Sequence, residues 1–156
     1  MPAESPVKPI TFAGEYLHAL DNKNRVTIPS AWRKPGEDQL DEFFVVPEFG
    51  NRFLIVMPPD EFNAARNDVN SNPEIPRAKA RVFLRNFYGK ARNCVLDRQG
   101  RLLLSEENCR DVGLSGEVMM NGVHGRFEIW NPGRYAESAA AAADTYKEVG
   151  EMIGIW

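Results

Sequence analysis

The chain has 156 residues, of which 43% are hydrophobic and 26% charged, and its formal net charge is −3. A chain of this length buries roughly two thirds of its unfolded surface in one domain, so it needs neither a disulfide nor a metal ion to fold. No apolar run approaches the ~20 residues of a membrane-spanning helix, and Cys94 and Cys109 have no partner at zinc-ligand spacing, so we expect a cytoplasmic protein with reduced thiols, no metal, no cofactor and no membrane contact.

The first half of the chain predicts short strands behind a polar extension. Residues 1–11 hold three prolines and no apolar run, which indicates a disordered extension rather than a secretory signal. Residues 12–62 form a first unit of alternating apolar patterns and turn residues. Its predicted elements are strand 15–20, a tight loop, strand 26–28, a short helix from Ser30 to the stop at Pro35-Gly36, and strands 43–46 and 53–57.

Residues 63–88 are expected to be a linker and a helix. From Ile75 to Tyr88, arginines repeat at four-residue spacing opposite apolar side chains, which is typical of an amphipathic helix. The arginines are Arg77, Arg81 and Arg85; the apolar side chains are Ala80, Phe83 and Phe87. We interpret the arginines as a structural stripe or a non-specific electrostatic contributor.

The second unit, residues 89–133, repeats the order of the first. Its predicted elements are strand 93–96, a tight loop, strand 102–104, a helix capped by Ser105, and strands 117–120 and 127–130. Residues 134–156 are assigned to a C-terminal helix, whose pattern begins near Gly133 and continues through an alanine run towards Met152.

An internal repeat relates the two units. Residues 20–25 (LDNKNR) match residues 96–101 (LDRQGR) at an offset of 76, and residues 51–55 (NRFLI) match residues 125–129 (GRFEI) at an offset of 74. A unit of about seventy residues with short strands has little interior of its own. We therefore predict an α+β protein, mainly β, in which two β-hairpin-and-helix units interlock into one barrel-like core.

The repeated Asp-x-x-x-Arg loop is the candidate binding motif of the sequence. A carboxylate that opens a tight loop accepts hydrogen bonds from backbone N–H groups two residues on, and the arginine offers a planar fork that suits phosphate or guanine. Asp21 with Arg25, and Asp97 with Arg101, are the candidate pairs; Lys23 and Arg98 add exposed positive charge. A purely structural salt bridge is the alternative for either loop.

Charge is also unevenly distributed. Between Arg77 and Arg101 the chain carries eight basic residues and one acid, Asp97, although the chain as a whole is acidic. Such a distribution attracts phosphate to one face and repels it elsewhere.

Several ordered motifs together resemble the MraZ family over roughly residues 12–151. They are GEY at 14–16, LDxxxRVxIP at 20–29, ARxFLR at 80–85, LDRQGR at 96–101 and RFEIW at 126–130. This chain has Asn24 and Ser105 where the family usually has Gly and Pro; both substitutes suit their positions, a left-handed turn and a helix N-cap.

The resemblance implies tandem AbrB-like (looped-hinge, swapped-hairpin) units that assemble into a homo-oligomeric ring. It implies a nucleoid-associated transcriptional regulator of a bacterial division and cell-wall gene cluster. The expected partner is double-stranded DNA carrying short direct repeats in the protein's own promoter. Asp21, Lys23, Arg25, Asp97, Arg98 and Arg101 are then the expected DNA-binding residues.

Three other classes of function were weighed. An enzyme with a small-molecule substrate is disfavoured because His18, on a strand, and His124, in a turn, have no evident catalytic partners. An antitoxin-like AbrB module that binds a partner protein would have one repeat and an extended tail. A purely structural ring is the third alternative.

Overall fold

The computed structural model describes residues 9–34 and 41–156. Its strands are β1 (Glu15–Ala19), β2 (Arg25–Thr27), β3 (Glu42–Pro47), β4 (Phe53–Met57), β5 (Arg92–Val95), β6 (Arg101–Leu103), β7 (Glu117–Gly122) and β8 (Phe127–Trp130). Its α-helices are α1 (Pro59–Ser71), α2 (Arg77–Lys90), α3 (Glu106–Val112), α4 (Pro132–Ala141) and α5 (Ala143–Met152). One 3-10 turn (Ser30–Trp32) follows β2.

The strands pair across the two units. Six of them form one antiparallel sheet in the order β1-β7-β8-β4-β3-β5, and β2 pairs with β6 in a separate two-stranded ribbon. If each strand is replaced by its counterpart in the other unit (β1 by β5, β3 by β7, β4 by β8, and the reverse), the strand order is the same read from the opposite edge. The sheet therefore has twofold pseudo-symmetry. The internal repeat of the sequence therefore corresponds to a repeat of the fold.

The α+β class predicted from the sequence is confirmed, but two details differ. The expected hairpin between β1 and β2 is wrong: apart from the bridge between Leu20 and Val26, β1 pairs with β7 and β2 with β6. The strands diverge because each gains a longer ladder from the other unit. Barrel closure is not confirmed, since the six-stranded sheet is open in the described part of the chain, with β1 and β5 at its edges.

Alternate residues of β3 and β4 point to opposite sides of the sheet, as strand geometry requires. On one side lies the main core, which the ribbon covers with the buried side chains of Val26 and Leu102. On the other side, Phe62 of α1 stacks on Phe44 of β3 at 4.1 Å between ring centroids. The ribbon and the α1–α2 pair thus occupy opposite faces of the sheet.

The helices account for most of the other differences between sequence and structure. Helix α1 was not predicted, because only one of its residues, Phe62, is buried and its apolar periodicity is weak. The predicted C-terminal helix breaks at Ala142 into α4 and α5, and the predicted helix at Ser30 is a single 3-10 turn. Pro35-Gly36 and residues 1–8 lie outside the described residues.

Ser105 caps α3 as predicted. Its side-chain oxygen accepts a hydrogen bond from the backbone N–H of Asn108 at 3.1 Å. Within residues 9–34 and 41–156, no helix combines the length and apolar composition needed to cross a membrane.

Phe127 lies at the centre of the main core and provides a test of the fold. It is fully buried, and its ring centroid lies 4.8 Å from that of Trp32 and 5.5 Å from that of Phe43. We expect Phe127→Ala to lower the free energy of unfolding by about 3 to 5 kcal/mol, because it removes buried surface and leaves a cavity. Urea denaturation followed by tryptophan fluorescence measures the change.

The matched control is Phe49→Ala, since Phe49 is fully exposed at the turn between β3 and β4. It should change the free energy of unfolding by no more than about 0.5 kcal/mol. Equal losses in the two variants would contradict the placement of Phe127.

Candidate nucleic-acid interface

One carboxylate organises the first loop, residues 21–25. Asp21 Oδ1 accepts hydrogen bonds from the backbone N–H groups of Lys23 (2.9 Å) and Arg25 (2.8 Å), and Asp21 Oδ2 accepts one from Arg25 Nε (2.7 Å). Asn24 lies in the left-handed region at φ 62°, which asparagine tolerates better than most residues. Asp21 therefore fixes both the turn and the direction of the arginine.

The second loop, residues 97–101, has the same geometry. Asp97 Oδ1 accepts from the backbone N–H groups of Gln99 and Arg101, both at 2.9 Å, and Asp97 Oδ2 accepts from Arg101 Nε at 2.7 Å. Gly100 occupies the left-handed position at φ 76°. Asn24 in the first loop and Gly100 in the second therefore adopt the same left-handed conformation in the same turn.

The ribbon brings the two loops together. In its register Arg25 lies opposite Leu103, and Thr27 lies opposite Arg101. Opposed residues share a face, so both arginines face outward while Val26 and Leu102 are buried beneath them. From the strand rise and spacing, the two arginine Cα atoms are roughly 8 Å apart.

The ladder continues into the loops themselves. Leu104 donates its backbone N–H to Asn24 O at 2.8 Å, and Ile28 donates to Gly100 O at 2.9 Å. Each loop is therefore tied to the strand end of the other unit, and the two loops form one surface.

Both guanidinium groups keep donors available. Arg25 and Arg101 use Nε for the aspartate, and their Nη groups have no hydrogen-bond partner among the described residues. The arginine side chains retain somewhat over a quarter of their exposure. An arginine held in this way can present its terminal nitrogens to a planar or tetrahedral anion.

Hydrogen bonding keeps both aspartates ionised. At Asp21 the backbone N–H of Arg25 is the main cause that lowers the pKa below its usual value, against a smaller opposing effect of burial. At Asp97 burial raises the pKa, but the hydrogen bonds from Arg101 and Gln99 outweigh it, so this pKa is also lowered. Both aspartates therefore stay ionised to a lower pH than an unpaired aspartate.

The other basic residues take two positions. Lys23 and Arg98 are exposed in the middle of their loops, next to the candidate pairs. Arg77, Arg81 and Arg85 are exposed on α2, which packs across the sheet from the ribbon. The structure thus groups the six predicted site residues and separates the helical arginines from them.

A third turn of the same kind was missed from the sequence. Glu48 Oε2 accepts from the backbone N–H groups of Gly50 (3.0 Å) and Arg52 (3.2 Å), and Glu48 Oε1 accepts from Arg52 Nε and Nη2. The acid-x-x-x-Arg spacing at 48–52 was a visible signal. Unlike the two loops, this turn engages Nη2 as well. At the repeat offset of 74, its counterpart in the second unit has Gly122 in place of the acid.

Neither histidine belongs to the two Asp-x-x-x-Arg loops. His18 Nδ1 lies 2.7 Å from Thr27 O, as expected of a satisfied strand histidine, and His124 occupies a turn at φ 69°. Across the described ranges, no group of three or more His, Cys, Asp or Glu side chains is arranged to hold a metal ion.

Comparison with known proteins identifies the same family from a family model and from individual relatives. The family model described as "MraZ protein, putative antitoxin-like" matches residues 87–151. Proteins named Transcriptional regulator MraZ match over most of their length. The one from Moorella thermoacetica is 36% identical over 91% of this chain and 96% of its own, and the one from Symbiobacterium thermophilum is 35% identical over 90% and 99%. The one from Desulfitobacterium hafniense strain Y51 is 32% identical over 91% and 96%.

The two aspartates provide a test of the loop geometry. Because their pKa values are lowered, their contribution to stability is fully present above the unfolded value of about 3.9 and is lost as the pH falls through the folded value. We expect Arg25→Ala to raise the pKa of Asp21 while leaving that of Asp97 unchanged, and Arg101→Ala to do the reverse. Carbon-detected NMR titration of the carboxyl groups measures both; an unaltered Asp21 pKa in Arg25→Ala would show that the contact does not form in solution.

Proposed function

The chain belongs to the MraZ family, and from that membership we propose that it is a sequence-specific, DNA-binding transcriptional regulator whose two Asp-x-x-x-Arg loops contact the DNA. The relatives' name supports the regulatory role. The pairing of Arg25 and Arg101 on one outward face of the ribbon is the observation that carries the DNA contact. A regulator of this kind works at the bacterial nucleoid.

The dimensions of the ribbon support this proposal. The major groove of B-DNA admits a two-stranded β-ribbon, and arginine pairs with the O6 and N7 atoms of guanine through two nitrogens. In both loops Nε is held by the aspartate, which leaves the Nη groups for base or phosphate. Lys23 and Arg98 then lie where backbone phosphates pass.

The resemblance noted from the sequence extends the proposal to the target. We propose short direct repeats in the protein's own promoter, upstream of a division and cell-wall gene cluster. AbrB-like units with swapped hairpins agree with the strand pairing between units, in which β1 joins β7 and β5 joins β3.

One chain offers few phosphate contacts, so we also propose a closed homo-oligomer, a ring. Linked copies gain effective concentration on repeated DNA sites. The C-terminal end supplies a surface for assembly, since large apolar side chains are exposed there. They are Tyr146, Val149, Met152, Ile153, Ile155 and Trp156.

An antitoxin-like module is the second candidate. The description of the matching family model favours it, and the same exposed C-terminal surface would then bind a different protein. The two candidates differ in whether the isolated chain assembles with itself.

The DNA-binding proposal predicts matched losses from the two arginines. Arg25→Ala and Arg101→Ala should fold normally but bind promoter DNA about 5- to 150-fold more weakly if each arginine reads a guanine, because such a contact is worth roughly 1 to 3 kcal/mol. If the arginine only neutralises a phosphate, its replacement should weaken binding to all sequences alike and reduce the salt slope by about 0.9. Asp21→Asn should be milder, since Arg25 is retained and the amide oxygen still accepts the two backbone hydrogen bonds, although the amide NH2 cannot accept from Arg25 Nε.

Fluorescence anisotropy against promoter and scrambled duplexes at several salt concentrations distinguishes these outcomes. The control is Arg52→Ala, which removes an arginine from the same kind of turn outside the ribbon and should leave DNA binding unchanged. If both loop variants bind the promoter like the wild type, the loops are structural salt bridges and the proposal fails.

The oligomer proposal predicts a mass well above that of one chain. In light scattering at micromolar concentration, we expect Met152→Glu combined with Ile155→Glu to reduce the mass, because charges enter an apolar contact. Val123→Glu, at an exposed apolar residue in the β7–β8 turn, should not. A monomeric wild type would contradict the ring and favour the antitoxin-like module.

A further inference from the structure

Arg33 lies against the second loop. The guanidinium packs on the Cα of Gly100, so that a Cβ added there would lie 2.6 Å from Arg33 Cζ and would overlap Nη1. Gly100 is buried as a result, although it belongs to an exposed loop. Arg33 comes from the other unit of the chain and had no role in the sequence pattern.

The backbone at Arg33 is held in place by its neighbour. Trp32 is buried in the main core, and its indole Nε1–H donates to Ala13 O at 3.1 Å. Arg33 N donates to Ser30 O at 3.2 Å and ends the 3-10 turn. The side chain therefore extends from a fixed point to the second loop.

Arg33 makes no ion pair and no side-chain hydrogen bond within the described part of the chain. Its Nε is buried without a hydrogen-bond partner, and no described carboxylate lies within ion-pair distance. Asp41 accepts hydrogen bonds from the backbone N–H of Lys34 at 3.1 and 3.2 Å and feels the charge of Arg33 only at longer range: burial raises the pKa of Asp41, and Lys34 and Arg33 oppose that rise. A partly desolvated guanidinium normally has an anionic partner, so the arrangement suits an anion from outside the chain.

No arginine takes the corresponding position at the first loop among the described residues. At the repeat offset of 76, Arg33 corresponds to Cys109, a buried thiol. Beside Asn24, the counterpart of Gly100, lies an open depression whose lining includes Lys23, Arg92 and Glu106. The two loops therefore share their turn geometry, and only the second has an arginine packed on its left-handed residue.

We propose that Arg33 binds a DNA backbone phosphate at the second loop, as a third arginine beside Arg98 and Arg101. The inference rests on the proposed function, because it assumes that DNA reaches this loop. A contact to phosphate adds affinity without sequence preference and fixes the position of the duplex.

The test uses the full chain and duplex DNA. Arg33→Gln should weaken binding to the promoter duplex and to the scrambled duplex by the same factor. It should also reduce the slope of log K against log[salt] by about 0.9 for each engaged chain. Arg33→Lys should restore most of the slope, because it retains the charge. Both variants keep a stem over Gly100, so their difference isolates charge from packing. Arg66→Ala, an exposed arginine on α1 across the sheet, should leave the slope unchanged.

A second variant tests the contact itself. Gly100→Ala should displace the Arg33 guanidinium and strain the turn at φ 76°, and so reduce the salt slope. The double variant Gly100→Ala/Arg33→Gln should reduce the salt slope by less than the sum of the two single reductions, because both substitutions remove the same contact.

The outcomes separate this inference from the function on which it rests. If the wild type binds no DNA, the proposed function fails. If Arg101→Ala weakens binding while Arg33→Gln and Arg33→Lys both retain the full slope, the function stands and Arg33 is structural.

Discussion

The pairing of β2 with β6 is the interaction on which the candidate interface depends. Three residues from each unit form a ladder that buries Val26 and Leu102 and leaves Arg25 and Arg101 on the outer face. Neither unit can make this ribbon alone. The loops are fixed by their aspartates, but their position relative to one another comes from the ladder, which extends into both loops through Asn24 O and Gly100 O.

The sequence predicts structure that depends on neighbouring residues, but not contacts between segments that are distant in the chain. The strands, the cap at Ser105 and the Asp-x-x-x-Arg turns depend on residues within a few positions, so residue type and spacing predict them. The cross-unit pairing depends on burial between distant segments, and the hairpin expected from β1 and β2 was wrong for that reason. Helix α1 was missed because a single side chain, Phe62, anchors it. The contact of Arg33 with Gly100 joins residues from different units, and no periodicity indicates it.

The turn at 48–52 shows that geometry and surroundings contribute separately to a binding site. Glu48 closes it with the same backbone contacts that Asp21 and Asp97 make, yet its arginine engages both Nε and Nη2. The longer glutamate side chain reaches the second nitrogen, whereas aspartate stops at Nε. An Asp-to-Arg pair therefore leaves more donors for a ligand than a Glu-to-Arg pair in the same turn.

The pairing of β1 with β7 has a consequence for synthesis on the ribosome. Glu15 lies opposite Asn121, so the first strand emerges more than a hundred residues before its partner. Until then the backbone hydrogen-bonding groups of β1 have no partner strand, and within the first unit only β3 and β4 can pair with each other. Non-local pairing of this kind slows folding and prolongs exposure to aggregation. The sheet therefore cannot be completed until both halves of the chain have been synthesised.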